Sequence, residues 1–313
     1  MRILFTGASS FTGCWFVGEL AAAGHEVTAV FRRRPEEYSE PLRRRRVQRA
    51  LESCRGVYGC AFGDDAFLAL VREQGPWDLL CHHGADVTNY KSPDFDVPAA
   101  VSNNAHRLPE VLAAMSAAGC RRVLLTGSVF ECGEGAGSEG LPAFSPYGLS
   151  KALTAEMFRF YAARAGLALG KFVIPNPFGP FEEPRFTAYL MKSWFAGAIP
   201  SVQTPAYVRD NIHVSLLARA YARFAEELPA GPAYRKLNPS GYIETQGAFA
   251  QRFGREMARR LDMPCAVELK QQTAFDEPRI RINTDPLDAA GYGWDESRAW
   301  DEIAEYYRRT PAR

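Results

Sequence analysis

The sequence lacks any pair of cysteines at metal-binding spacing. Its seven cysteines (Cys14, Cys54, Cys60, Cys81, Cys120, Cys132 and Cys265) are odd in number and scattered, with no C-x-x-C among them. That excludes a zinc module or a disulfide framework and predicts free thiols in a reducing compartment. The adjacent His82-His83 does not repair the lack, because neighbouring strand residues point to opposite faces. No metal site is expected there. Excess charge is missing too: 37 basic and 36 acidic side chains leave a formal net charge of +1, which argues against a nucleic-acid partner. No apolar run is long enough to span a bilayer. Met1-Arg2-Ile3-Leu4-Phe5 runs into a glycine turn without a leader's cleavage pattern, so a cytoplasmic location is expected. Internal repeats and low-complexity tracts are absent as well.

What is present is an ordinary globular composition, 47% hydrophobic and 23% charged over 313 residues, enough for one or two domains with a large core. The first half alternates short apolar runs with helical patterns, as in a parallel sheet with crossover helices. Strands are predicted over Arg2 to Thr6, Glu26 to Phe31, Val57 to Phe62, Leu79 to His82, Arg122 to Thr126 and Lys171 to Ile174, with helices from about Phe11 to Ala23 and from about Tyr147 to Arg164. After Pro175 prolines and aromatics crowd together and the alternation is lost. The expected fold is α/β: a Rossmann-type doubly wound parallel sheet in residues 1–174, rejoined by a segment around 207–236. A smaller C-terminal α/β substrate domain is expected over 175–313, at the carboxyl ends of the strands.

Three motifs carry chemistry. Thr6-Gly7-Ala8-Ser9-Ser10-Phe11-Thr12-Gly13 follows a strand and opens a helix, the setting of a dinucleotide fingerprint. Gly7 serves the tight turn, Ser10 lets backbone approach a pyrophosphate, and Gly13 lets helix pack on strand; Phe11 and Thr12 open the helix whose N-terminus favours anions. The second strand ends Val30-Phe31-Arg32-Arg33-Arg34, with no carboxylate until Glu36. An acid there would accept a ribose 2′-hydroxyl, whereas arginine suits a 2′-phosphate, so NADP is expected over NAD, clamped by Arg32 and Arg33. The run Arg43 to Arg46, with Arg49, reads as a solvated helix face. Third, Tyr147-Gly148-Leu149-Ser150-Lys151 puts a phenol and an ammonium on one helix face. A cation about 4 Å away at an effective dielectric of about 20 contributes roughly 4 kcal/mol. That equals about three pKa units, enough to bring a phenol from near 10 toward 7.

Together these residues resemble the extended short-chain dehydrogenase/reductase family, particularly its nucleotide-sugar epimerase, dehydratase and reductase branch. The resemblance extends to Gly63-Asp64, similar to an adenine-contacting Gly-Asp, and to Cys81-His82-His83-Gly84-Ala85, which stands where the family has His-x-Ala-Ala with Gly84 beside the cofactor. Asn104 matches a structural asparagine. Asn176-Pro177-Phe178-Gly179-Pro180, Arg209-Asp210-Asn211-Ile212-His213-Val214 and Asp285 to Trp294 also resemble family elements. By that resemblance Tyr147 is the general acid/base, Lys151 holds ribose hydroxyls, and Thr126, or less readily Ser128, orients the reacting hydroxyl. Asn176, Arg209 and Arg281 would meet the substrate, although a plain reading makes Arg281 a surface salt bridge. Two departures stand out. Ser10 replaces the middle glycine, and Thr126-Gly127-Ser128 is not followed by the Asp-Glu of dehydratases, with Glu131 the nearest acid.

The expected activity is an NAD(P)-dependent epimerase or ketoreductase acting on a nucleotide-linked sugar. A reductase of non-nucleotide carbonyls is one rival, and a non-catalytic dinucleotide sensor the other. The helix from Tyr147 carries apolar residues on more than one face, which suggests either a homodimer or burial by the chain's own second domain.

Overall fold

In the computed structural model, which describes residues 1–310, the chain divides into two compact units. The first comprises Met1–Glu134, Pro142–Ile174 and Ala218–Asn238; the second comprises Gly135–Leu141, Pro175–Leu217 and the chain from Pro239 onward.

The first unit is built on seven strands: β1 (Arg2–Thr6), β2 (Glu26–Phe31), β3 (Arg55–Tyr58), β4 (Leu79–His82), β5 (Arg122–Ser128), β6 (Ala168–Ile174) and β7 (Ala233–Leu237). They lie in the order β7-β6-β5-β4-β1-β2-β3, and every neighbouring pair is parallel. This is the doubly wound Rossmann-type arrangement expected, with the order reversing beside β1 and β4. The central strands β1, β4 and β5 are almost wholly buried, as expected where helices cover both faces of a parallel sheet, whereas the edge strands β3 and β7 are partly exposed. In β1, Leu4 joins a core with Phe67, Trp77, Val111 and Phe158, while Phe5 on the opposite face meets the Tyr221 ring at 6.3 Å. The helices that follow are α1 (Phe11–Ala22), α2 (Pro41–Leu51), α3 (Asp65–Gln74), α4 (Val97–Asn104), α5 (Leu108–Ala117) and α6 (Pro146–Arg164).

Two strands start earlier than expected. β3 begins at Arg55 and stops at Tyr58, since Gly59 (φ +62°) turns the chain before the apolar Phe62. β6 begins at Ala168 because Gly170 is an integral part of it: a Cβ there would lie 2.7 Å from Leu228.

In the second unit, strands Tyr242–Thr245, Val208–His213, Ile280–Ile282 and Ala136–Gly137 form a mixed sheet. Residues 208–213, expected in the segment returning to the first domain, therefore pair within the second unit. Its core gathers Phe178, Trp194, Phe249, Phe253 and Trp300. Among the described residues no helix is long and apolar enough to cross a membrane.

Candidate active site

The fingerprint turn is set by backbone contact. Gly7 adopts φ +84°, and a Cβ there would lie 2.7 Å from the Gly84 nitrogen. The end of β1 thus touches the end of β4 directly, and Gly84 N–H donates to Thr6 Oγ1 at 3.0 Å. Gly13 is as constrained: its Cβ would fall 2.3 Å from the Gly7 carbonyl oxygen. Ser10 needs no such freedom. It is the N-cap of α1 at φ −84°; its hydroxyl accepts from Gly13 N–H at 3.0 Å and donates to the Gly7 carbonyl at 2.9 Å. A serine therefore fills the middle position as a cap, leaving the remaining N–H groups of the α1 N-terminus, a setting that favours anions. A cradle closed by three backbone approaches and capped by a small hydroxyl fits a dinucleotide.

Beneath the loop lies His83, part of the Cys81-His82-His83-Gly84-Ala85 element that resembles the family's His-x-Ala-Ala. Its Nε2 meets Ser10 Oγ at 2.9 Å and Thr12 Oγ1 at 3.1 Å, and its Nδ1 meets Thr126 Oγ1 at 3.0 Å. The Ser10 proton goes to Gly7, so the consistent tautomer carries its proton on Nε2 and accepts at Nδ1 from Thr126. Burial, and then the Lys151 charge, push the His83 pKa down to about 3, so the ring stays neutral. His82 is likewise neutral, pushed to about 3 mainly by burial, and links Thr6 Oγ1 to the Asn104 carbonyl. The hydrogen bonds of the two histidines are not legible in the sequence, because each partner comes from a different element.

At the adenosine end, Asp64 caps α3. Its oxygens accept from Phe67 N–H at 2.7 Å and Ala61 N–H at 2.9 Å, so the carboxylate expected at the adenine is used on backbone. Arg32 and Arg33 are exposed after β2. With Arg46 they lie close enough to Arg43 to help burial lower its pKa, a concentration of positive charge with no carboxylate at the strand end.

The Tyr147 segment is placed by Gly148. A Cβ there would lie 2.1 Å from the Phe130 carbonyl oxygen, so the first turn of α6, capped by Ser145, rides on the backbone just past β5. The half-buried Tyr147 ring sits between Tyr90, at 5.5 Å, and Phe95, at 6.0 Å. Lys151 is buried, and its Nζ donates to the Thr126 carbonyl at 2.6 Å. Burial lowers its pKa to about 8, with Glu131 pulling it up and Lys171 pushing it down. Thr126 is 3% exposed with its hydroxyl on His83. Ser128 ends β5, and its hydroxyl accepts from Phe130 N–H at 3.3 Å. Glu131 is fully buried, one oxygen on Ser128 N–H at 2.7 Å and the other 2.5 Å from Lys171 Nζ. It is turned inward, onto the β5 backbone and Lys171.

In the second unit, Asn176 pairs with Asn211, and Arg209 stands in register with Arg281 on adjacent parallel strands. Arg209 binds Glu277 at 2.9 Å and the carbonyls of Val208 and Pro278. Arg281 is 1% exposed, which corrects its plain reading as a surface salt bridge. His213 Nδ1 meets Ser215 Oγ at 2.7 Å, and the same oxygen accepts from Trp294 Nε1 at 2.8 Å; one serine thus joins two of the elements noted in the sequence.

Among solved structures, the chain is similar to a UDP-glucuronic acid 4-epimerase from Bacillus cereus in complex with UDP-glucuronic acid and NAD, at 15% identity and a TM-score of 0.72, with 99% of each chain covered. It is also similar to a UDP-glucose 4-epimerase from Thermotoga maritima with UDP-glucose, at 19% identity and 0.74, again with 99% of each covered. A dTDP-glucose 4,6-dehydratase from Streptomyces venezuelae with NAD shares 18% identity at 0.73, over 99% of this chain and 98% of that one. At these identities the likeness speaks for the fold. No curated protein sequence matches. The Bacillus cereus and Streptomyces venezuelae structures hold NAD, so the expectation of NADP draws no support from them. The family model described as the NAD dependent epimerase/dehydratase family matches residues 3–238, and the chain belongs to that family.

Proposed function

We propose that the protein carries out oxidation-reduction at a hydroxyl-bearing carbon of a nucleotide-linked sugar, as an epimerase in the first instance. The observation that carries this reading is Lys151, an ammonium 5% exposed and anchored 2.6 Å from the Thr126 carbonyl, one helical turn from Tyr147. A buried cation is costly, and one turn of α6 separates this one from the phenol whose anion it would stabilise. The chain's residues then divide the work. Tyr147 takes the proton from the sugar hydroxyl and returns it. Ser128, at the carboxyl end of β5 where open α/β sheets bind ligands, orients that hydroxyl in preference to Thr126, whose own hydroxyl is held by His83. Gly7, Ser10, Phe11, Thr12, Gly13 and Gly84 cradle the dinucleotide, which when bound supplies the two-electron chemistry at the sugar carbon. Asn176, Arg209 and Arg281 are assigned to the substrate. The inward turn of Glu131 disfavours dehydration.

The arginines after β2 support a 2′-phosphate and hence NADP, and an exchangeable NADPH would make a reductase the second reading. The test is mass spectrometry of small molecules released from denatured protein, with thermal shifts in NADP, NAD, UDP, dTDP and GDP and incubation with UDP-glucose and UDP-glucuronic acid. An epimerised UDP-sugar and stabilisation by one nucleoside diphosphate are expected. Stabilisation by NADP above NAD, lost on replacing Arg32 and Arg33 together by alanine while NAD binding persists, is expected for the cofactor. Equal affinity for both dinucleotides refutes the arginine clamp. Failure of every nucleoside diphosphate to bind favours a reductase of other carbonyls.

Leu149, Leu153 and Phe160 lie exposed along α6, spaced as one stripe, which supports association of two copies. Sedimentation at micromolar concentration is expected to give twice the chain mass, and a monomer removes that proposal.

A further inference from the structure

Beneath the carboxyl end of β5 lies a buried ionic network that the proposed chemistry does not use. Lys171 of β6 passes under Gly127, where a Cβ would lie 2.9 Å from Lys171 Cε and 3.0 Å from Glu131 Oε1. Its Nζ then reaches Glu131 at 2.5 Å and Glu134 at 2.8 Å. The second Glu134 oxygen binds Lys236 Nζ and Asn238 Nδ2, each at 3.0 Å. Glu131, Glu134 and Lys171 are all buried. An apolar set of similar volume would stabilise the fold as well or better, so packing alone gives little reason for so many charges.

Their placement gives a better one. Pairing between β4 and β5 ends at Leu125, and past that point two backbone groups are held by side chains of opposite charge. The Thr126 carbonyl accepts from Lys151 Nζ at 2.6 Å, and Ser128 N–H donates to Glu131 Oε1 at 2.7 Å. We infer that Glu131, backed by Lys171, is a positioning residue for the Tyr147 chemistry: it fixes the Ser128 end of β5 and sets a negative charge near the Lys151 ammonium. The inference rests on the functional reading above.

The charged and titratable groups that act on Lys151 are His82 and His83 from β4, Glu131 after β5 and Lys171 on β6. The histidines stay neutral above about pH 3, which leaves Glu131 and Lys171 as the opposing charges. Loss of the Glu131 charge moves Lys151 titration down; loss of the Lys171 charge moves it up. A role in packing alone leaves the Lys151 midpoint where it is.

The sequence holds six lysines, Lys91, Lys151, Lys171, Lys192, Lys236 and Lys270, few enough for NMR titration of the full chain labelled with [13Cε]lysine. The Lys151 signal is assigned by its loss in Lys151→Arg. Glu131→Gln is expected to lower its midpoint by about one pH unit, as for a charge a few ångströms off at intermediate dielectric. Lys171→Gln is expected to raise it. Midpoints that stay put, or move in the same direction, in variants that melt as folded proteins overturn the inference. If Glu131→Gln fails to fold, the upward shift in Lys171→Gln decides alone. Dinucleotide stabilisation of the wild-type protein is scored separately, so failure of the functional reading shows there and failure of this inference shows in Lys151.

Discussion

Gly13→Ala is expected to abolish dinucleotide binding while leaving most of the sheet intact. The added Cβ falls 2.3 Å from the Gly7 carbonyl oxygen and 2.7 Å from Ser10 Oγ. Neither neighbour is the free end of a flexible side chain. Gly7 is fixed by its left-handed backbone and by Gly84, whose nitrogen lies 2.7 Å from where a Gly7 Cβ would stand. Ser10 Oγ is fixed by its bonds to Gly7, Gly13 and His83. The loop must therefore move as a unit, at a cost of about 1–3 kcal/mol in overpacking, and it moves out of the geometry that presents α1 to a phosphate. Affinity measured by calorimetry is expected to fall more than about 100-fold, which is the loss of roughly 3 kcal/mol of phosphate binding. Ser10→Gly is the control: exchanging an N-cap serine for glycine costs a few tenths of a kcal/mol, so that variant keeps its cofactor. Wild-type affinity in Gly13→Ala removes the fingerprint assignment.

The sequence disclosed those parts of the molecule that depend on near neighbours. β1, β2 and β4 appear with the bounds expected because each is an apolar run ended by a polar or glycine turn. Tyr147 and Lys151 were legible because four residues on a helix guarantee a shared face. What stayed hidden depends on which strands become neighbours. His83 gains meaning only when β4 lies between β1 and β5, bringing Ser10, Thr12 and Thr126 to one ring. The Glu131–Lys171 pair, similarly, requires β6 beside β5 and a glycine between them. The family resemblance set Thr126 ahead of Ser128, and only the structure shows that two more residues of β5 carry Ser128 to the strand's end. Arg281 read as surface because a charged residue in a short strand usually is; only burial on pairing with the Arg209 strand reverses that.

Tyr147→Phe is expected to lower turnover by about 10³-fold, within the range of one general acid/base, and to leave dinucleotide affinity within a factor of two or three. The phenyl ring keeps its seat between Tyr90 and Phe95, and Lys151 keeps its bond to the Thr126 carbonyl, so nothing that shapes the cofactor site changes. Ser128→Ala is expected to cost more turnover than Thr126→Ala. The latter acts through His83 and the loop and appears first as weaker dinucleotide binding. Residual activity carries a further signature. The Lys151 pKa in the folded chain, about 8, is depressed from 10.5, so the ammonium is present below pH 8 and discharges above it. Wild-type turnover that needs this charge declines as pH rises through 8, even as stability gains from relief of the buried charge between pH 8 and 10.5. Once the phenol is gone the charge has no base to tune, and the residual rate of Tyr147→Phe is expected to lose that decline. Initial rates from pH 6 to 10 on both proteins check this. A phenylalanine variant with wild-type turnover transfers the proton chemistry to another group and leaves Tyr147 a packing residue.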